Sequence, residues 1–256
     1  MTTVDTTPVR PAAATVARLI GTELRLVLRE PLVLAFVFAF PIVTVLVIAG
    51  SFAAEDAPDF GGVDPAHWYV ASYLSVVIAA IGLVMVPVHV AAYRERGVLR
   101  RFTAAGFPSW SFAAATLAVG VALTAVGSAV MLAVAAPVYG LPPVHDPVRV
   151  VLAAVLGALA FTSIGLLIGS LVPNARAAQG LGLLAFFPSF LLGGGGPPPS
   201  VMDDGMRQVA ELLPLTHVLE AVRDPWLGLG TGTGHLLVVL AFLAASALGW
   251  WRAVRV

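Results

Sequence analysis

Twenty consecutive residues, Pro31 to Gly50, pass without one charged side chain. At ~1.5 Å per residue such a run makes a helix long enough to cross the ~30 Å hydrocarbon core of a bilayer. Comparable runs recur at 68–92, 109–138, 148–172, 177–192 and 234–251, the only charge among them being Arg149 beside the start of its run. Only 11% of the 256 residues are charged and 59% are hydrophobic, whereas an ordinary soluble domain carries about 25% charge. Too few polar side chains remain to cover a water-facing surface, so lipid is the solvent for most of the chain. In lipid every backbone N–H and C=O must be satisfied within the segment, which restricts the spans to helices or a closed barrel. Runs of this length and continuity predict an all-α, polytopic membrane protein with six transmembrane helices. Trp68 and Tyr69 at the start of the second run, and Trp250 and Trp251 at the end of the sixth, suit the bilayer interface.

The segments between the runs carry the rest of the information. Residues 12–29 place Arg18, Thr22, Arg25 and Arg29 on one helical face and Val16, Ile20, Leu24 and Val27 on another. This is the pattern of a helix lying in the membrane interface. Residues 193–223 open with Gly193, Gly194, Gly195 and Gly196 and then Pro197, Pro198 and Pro199, which must interrupt any helix. Val201 to Leu213 is helical in pattern but too short and too charged to cross. Pro214, Leu215 and Thr216 then begin a second short helical stretch. We expect a broken, re-entrant hairpin before the last span. In the fourth run Gly157, Gly165 and Gly169 are suited to close helix contact.

Charge sorts the two sides. With six spans, eleven of the fourteen Arg residues fall on one side, and Arg149, Arg207 and Arg223 on the other. The acids run the opposite way, with ten of fourteen, Glu55 to Asp224, opposite the Arg-rich face. Arg bias places that face, and with it both termini, in the cytoplasm of a multi-pass protein of the cell membrane.

Composition also excludes chemistry. The chain has neither Cys nor Lys. There is thus no thiol nucleophile, no Schiff-base lysine and no Lys for a phosphate-binding P-loop. No span interior carries Asp, Glu or Arg; His89 is the only ionisable group within one, has no visible partner, and reads as a packing residue. The five His form no metal-binding spacing, and no GxSxG elbow occurs. A net charge of zero gives no field for nucleic acid. We therefore expect no enzymatic site and no cofactor in this chain.

The connection at 93–107 is the informative cytoplasmic segment. Leu99 and Phe102 share one helical face, Arg96 and Arg100 another, and Gly106 with Pro108 ends the helix. A short helix with an apolar anchor and a charged rim is suited to a groove on a cytoplasmic partner.

Arg94-Glu95-Arg96-Gly97-Val98-Leu99-Arg100-Arg101-Phe102 resembles the signature loop of type-2 ABC exporter permeases. The common form of that loop is Arg-Glu-Arg-Gly-Thr-Leu-Glu-Arg followed by an apolar residue. Val98 replaces the Thr and Arg100 the Glu. Ser170 to Gln179 is similar to the family's turn into its fifth span, and Leu213 to His217, followed by Arg223, to the pattern before its last span. The resemblance covers nearly the whole chain and is closest to drug and antibiotic efflux permeases. It implies a dimer of this chain with a second copy or a paralogue, and a separate cytoplasmic ATPase subunit that carries ATP and Mg. It assigns Arg94, Glu95, Arg96, Gly97, Leu99, Arg100, Arg101 and Phe102 to coupling with that ATPase, with Glu95 the expected polar contact. Residues 193–223 become the outer gate, centred on Gly193–Gly196, Pro197, Pro214, Leu215 and Thr216. The implied function is export of an apolar or amphipathic small molecule such as a drug, antibiotic or lipid. A stand-alone secondary carrier or channel is the alternative reading.

Overall fold

The computed structural model describes residues 20–25, 34–52, 57–104 and 109–255. Six of its helices are long and apolar enough to span a membrane. In chain order the helices are α1 (20–25), α2 (Ala35–Phe52), α3 (Pro65–Glu95), α4 (Val98–Ala104), α5 (Ser109–Tyr139), α6 (Pro147–Leu171), α7 (Ala175–Leu192), α8 (Asp204–Glu211), α9 (Pro214–Leu227) and α10 (Thr233–Arg255). The spans are α2, α3, α5, α6, α7 and α10. Of the proposed interfacial helix 12–29, only 20–25 are described, and these are helical; the remainder lies outside the described residues.

Helix starts follow from local chemistry. Asp64 accepts from the Ala66 N–H at 2.8 Å, Asp146 from Arg149 at 3.0 Å, Asn174 from Ala177 at 2.9 Å and Asp203 from Met206 at 2.8 Å. Each satisfies an N–H that the first helical turn leaves without a partner. Pro follows directly at Pro65 and Pro147, where its missing N–H costs nothing. Three of the acids sorted opposite the Arg-rich face are thus helix caps.

Burial orders the spans. In its most apolar window α3 is 89% buried, α6 50% and α10 only 11%. α3 is therefore the axis of the bundle, packed by α2, α6, α7 and α9, while α10 lies outside against α6. The close approach of α3 and α6 needs glycine. A Cβ on Gly82 would stand 2.5 Å from the Phe161 carbonyl carbon, and one on Gly169 2.7 Å from the Pro87 carbonyl oxygen. Gly157 similarly admits Val218 of α9 at 2.6 Å from the site of its missing Cβ.

α3 is not a uniform α-helix. Residues Ala80–Met85 form a π turn in which the Val86 N–H bonds the Ile81 carbonyl. Pro87 ends it, because the next N–H in that ladder does not exist. The Gly82 and Leu83 carbonyls, on the turn that Pro87 interrupts, press against Gly165 of α6 and Gly182 of α7. Glycine there lets the neighbouring backbone close over these polar groups.

Candidate coupling site and outer gate

At the Arg-rich end of the bundle α3 stops at a tight corner. Gly97 has φ +68°, which favours glycine, and its N–H bonds the Arg94 carbonyl at 3.0 Å. The corner turns the chain into α4. Its Leu99 and Phe102 are half-buried and pack on the protein's own core. The bundle thus covers part of the apolar face of α4. Arg96, Arg100 and Arg101 remain exposed.

Arg94 and Glu95 reach sideways. The Arg94 guanidinium donates to the Gly169 carbonyl at 3.2 Å and to the Val172 carbonyl at 2.8 Å, at the end of α6. Glu95 accepts from the Ala175 N–H at 3.3 Å, at the start of α7. A cation thus meets the carbonyls of a helix C-terminus and an anion the N–H groups of a helix N-terminus, the favourable sense at both ends. The two side chains fasten the α3–α4 corner to the α6–α7 turn. That turn is the second stretch, Ser170 to Gln179, singled out in the sequence.

His89 is not alone. Its Nε2 lies 2.5 Å from Glu23 Oε2 of α1, and the Glu23 side chain is only 4% exposed. The Tyr93 ring, one turn along, lies 4.4 Å from the imidazole. A cavity of about 10 Å³, room for about one water, opens beside the pair against Met85, Val86, Thr116 and Val119. The expectation of an unpartnered packing histidine is therefore corrected. A partner 66 residues distant in sequence leaves no local signal.

At the other end, Gly193–Gly196 are all buried. Two tyrosines of α3 hold them: Tyr69 donates to the Gly196 carbonyl at 3.0 Å and Tyr73 to the Gly195 carbonyl at 2.8 Å. Gly194 has φ +95°. Pro197 is exposed, whereas Leu215 is wholly buried. Thr216 donates to the Ala210 carbonyl at 2.6 Å, closing the break between α8 and α9 around Pro214. Arg223 lies 4.6 Å above the Trp68 ring and donates to Asp224 at 2.8 Å. An open cleft of about 300 Å³ lies there, lined by Phe60, Trp68, Ser200, Arg223, Asp224 and Leu229 among others.

Between the two ends runs an aromatic cluster. Phe36 and Phe40 of α2 pack against Phe186, Phe187 and Phe190 of α7, with centroids 5.2–6.4 Å apart. Phe190 continues to Tyr73 at 6.1 Å.

Six spans, a clamped corner after the second and a folded hairpin before the sixth are the context in which comparison with known proteins is informative. The family model described as ABC-2 type transporter matches residues 16–226. The chain belongs to the ABC-2 type transporter family. No curated protein matches it. Members of this family are the membrane-embedded permease components of type-2 ABC transporters, and the family implies an ATPase partner. In this ABC-2 permease the match takes in every long helix except α10, and so includes the corner, the α6–α7 turn and the hairpin.

Proposed function

We propose that this permease is the membrane subunit of an ATP-driven exporter. It moves an apolar or amphipathic small molecule out of the cytoplasm, powered by a separate ATPase subunit bound at the Arg94–Phe102 end. The observation that carries the reading is the double tie from Arg94 and Glu95 to the α6–α7 turn. A push on the exposed Arg96, Arg100 and Arg101 face then moves α3, α6 and α7 together, since rigid helices joined at their ends transmit displacement. The cytoplasmic placement of this end follows from its Arg excess. ATP and Mg belong to the partner, and a second copy or paralogue completes a dimer. The aromatic cluster supports the substrate class, since clustered rings with few charged groups suit an apolar or amphipathic molecule.

In this reading Glu95 acts within the permease as well. It positions the corner, and the Arg side chains present charge to the partner. Glu95→Arg sets a cation against the N-terminus of α7. We expect insertion and ATPase binding to persist while transport driven by ATP falls at least about tenfold, equivalent to about 1.4 kcal/mol of coupling. Substrate flux in proteoliposomes carrying the permease and its ATPase measures this. Unchanged flux would remove the corner from coupling.

The Glu23–His89 pair bears on the alternative of an ion-driven carrier. His89 sits six residues before the end of α3, about 9 Å along the axis, far from the mid-span position at which carriers hold their coupling groups. Nucleotide-independent transport by the permease alone in liposomes would favour the carrier instead.

A further inference from the structure

Two imidazoles meet where the hairpin touches the last span. His217 Nδ1 of α9 lies 3.1 Å from His235 Nδ1 of α10. His217 Nε2 is 2.8 Å from the Glu211 carbonyl at the end of α8, and His235 Nδ1 is 3.0 Å from Glu220 Oε2. These contacts fix the hydrogens. A carbonyl only accepts, so His217 Nε2 carries a hydrogen. A neutral His217 then has a bare Nδ1, which must accept. His235 Nδ1–H is the donor, shared between His217 and Glu220. The chain of bonds runs from α8 through α9 to α10 and joins all three elements.

We propose that the His217–His235 pair is a proton-binding site that latches the hairpin to the last span and releases it when His217 takes a second proton. A proton on His235 Nε2 leaves every bond in place and gives an imidazolium beside Glu220. A proton on His217 Nδ1 is different in kind. Two N–H groups then face each other at 3.1 Å, and the bond between α9 and α10 becomes a repulsion. The charges around the pair limit compensation. Glu220 is the carboxylate in contact, but it is shared with Arg223 at 3.8 Å, which is itself paired with Asp224 at 2.8 Å. Glu211 of α8 contributes its carbonyl. Trp68 of α3 stacks on Arg223, and Arg149 at the start of α6 pairs with Asp146. Access is direct, since the His235 side chain is 37% exposed and Glu220 23%. On the topology proposed above the latch faces the outside; the chemistry does not depend on that sidedness.

The chain has no Cys, so one introduced thiol reports alone. Ala221 is 2% exposed, and its backbone lies under Gly232 at the α9–α10 junction. Ala221→Cys is placed in the full chain in lipid nanodiscs, where both faces meet the same buffer. Labelling by a water-soluble maleimide is then compared with labelling in a His217→Asn background. The Asn amide oxygen can accept from His235 but takes no proton, so that background stays latched and cancels the thiol's own pH dependence. Between about pH 7.5 and about pH 5.5, the window in which imidazoles change charge, we expect the ratio of parent to His217→Asn labelling to rise about fivefold or more. His217→Leu has no latch and should label readily at both pH values. A ratio that does not change with pH, or a His217→Leu protein as protected as His217→Asn, would overturn the proposal.

Discussion

A single carboxylate, Glu23, shows how little of a buried polar contact is visible locally. Its side chain is 4% exposed and held by His89. Removing one member of a buried pair strands the other. We expect His89→Leu to cost about 2–3 kcal/mol and to lower the thermal midpoint in detergent by several degrees. Glu23→Gln keeps a hydrogen-bonding amide and should cost about half as much or less. Equal losses in the two variants would show that packing, not the pair, holds α1 on α3. Tyr73 makes the analogous contact at the other end. Tyr73→Phe removes the bond to the Gly195 carbonyl, with an expected loss of about 1 kcal/mol. It should also increase proteolysis within 193–203, because the buried glycine strand then has one tie fewer.

Among the elements, α3 and α6 depend on what their glycines lack. Gly169 faces the Pro87 carbonyl and Val90, with no room for a Cβ. Gly169→Leu should separate the two helices, at a cost of about 3 kcal/mol or more. Gly180→Ala, where nothing lies within 4 Å, should be neutral or gain about 1 kcal/mol from helix propensity. Size-exclusion profiles of the two variants distinguish these outcomes, and a monodisperse Gly169→Leu protein would refute the tight seam. The six spans were legible because an uncharged run of twenty residues has few other solutions in lipid. Gly157, Gly165 and Gly169 were legible as contact positions for the same reason: small residues recur where helices must meet. Partners were not. Leu99 and Phe102 carry the right spacing for a docking face, yet periodicity does not say whose surface covers it. Here α4 is short enough to fold back on its own bundle. Likewise nothing local in Tyr69 or Tyr73 points to carbonyls more than 120 residues away.

At the scale of the whole molecule, one helix joins both candidate sites. α3 carries Tyr69 and Tyr73 against the glycine strand and, at its far end, His89, Arg94 and Glu95 against α1, α6 and α7. Between them lies the π turn at Ala80–Met85. A π turn is one residue longer than the α turn it replaces, and one residue is about 100° of rotation. The two halves of α3 are therefore out of phase by more than a quarter of a circle, and each faces its own set of neighbours only because of that offset. Shortening the chain by one residue there, for instance by deleting Val84, would restore a common phase while leaving Tyr69, Tyr73, His89, Arg94 and Glu95 in place. Tyr73 and Arg94 would then be unable to meet the Gly195 carbonyl and the α6–α7 turn at the same time. Such a deletion should leave the chain inserted but its two ends out of gear.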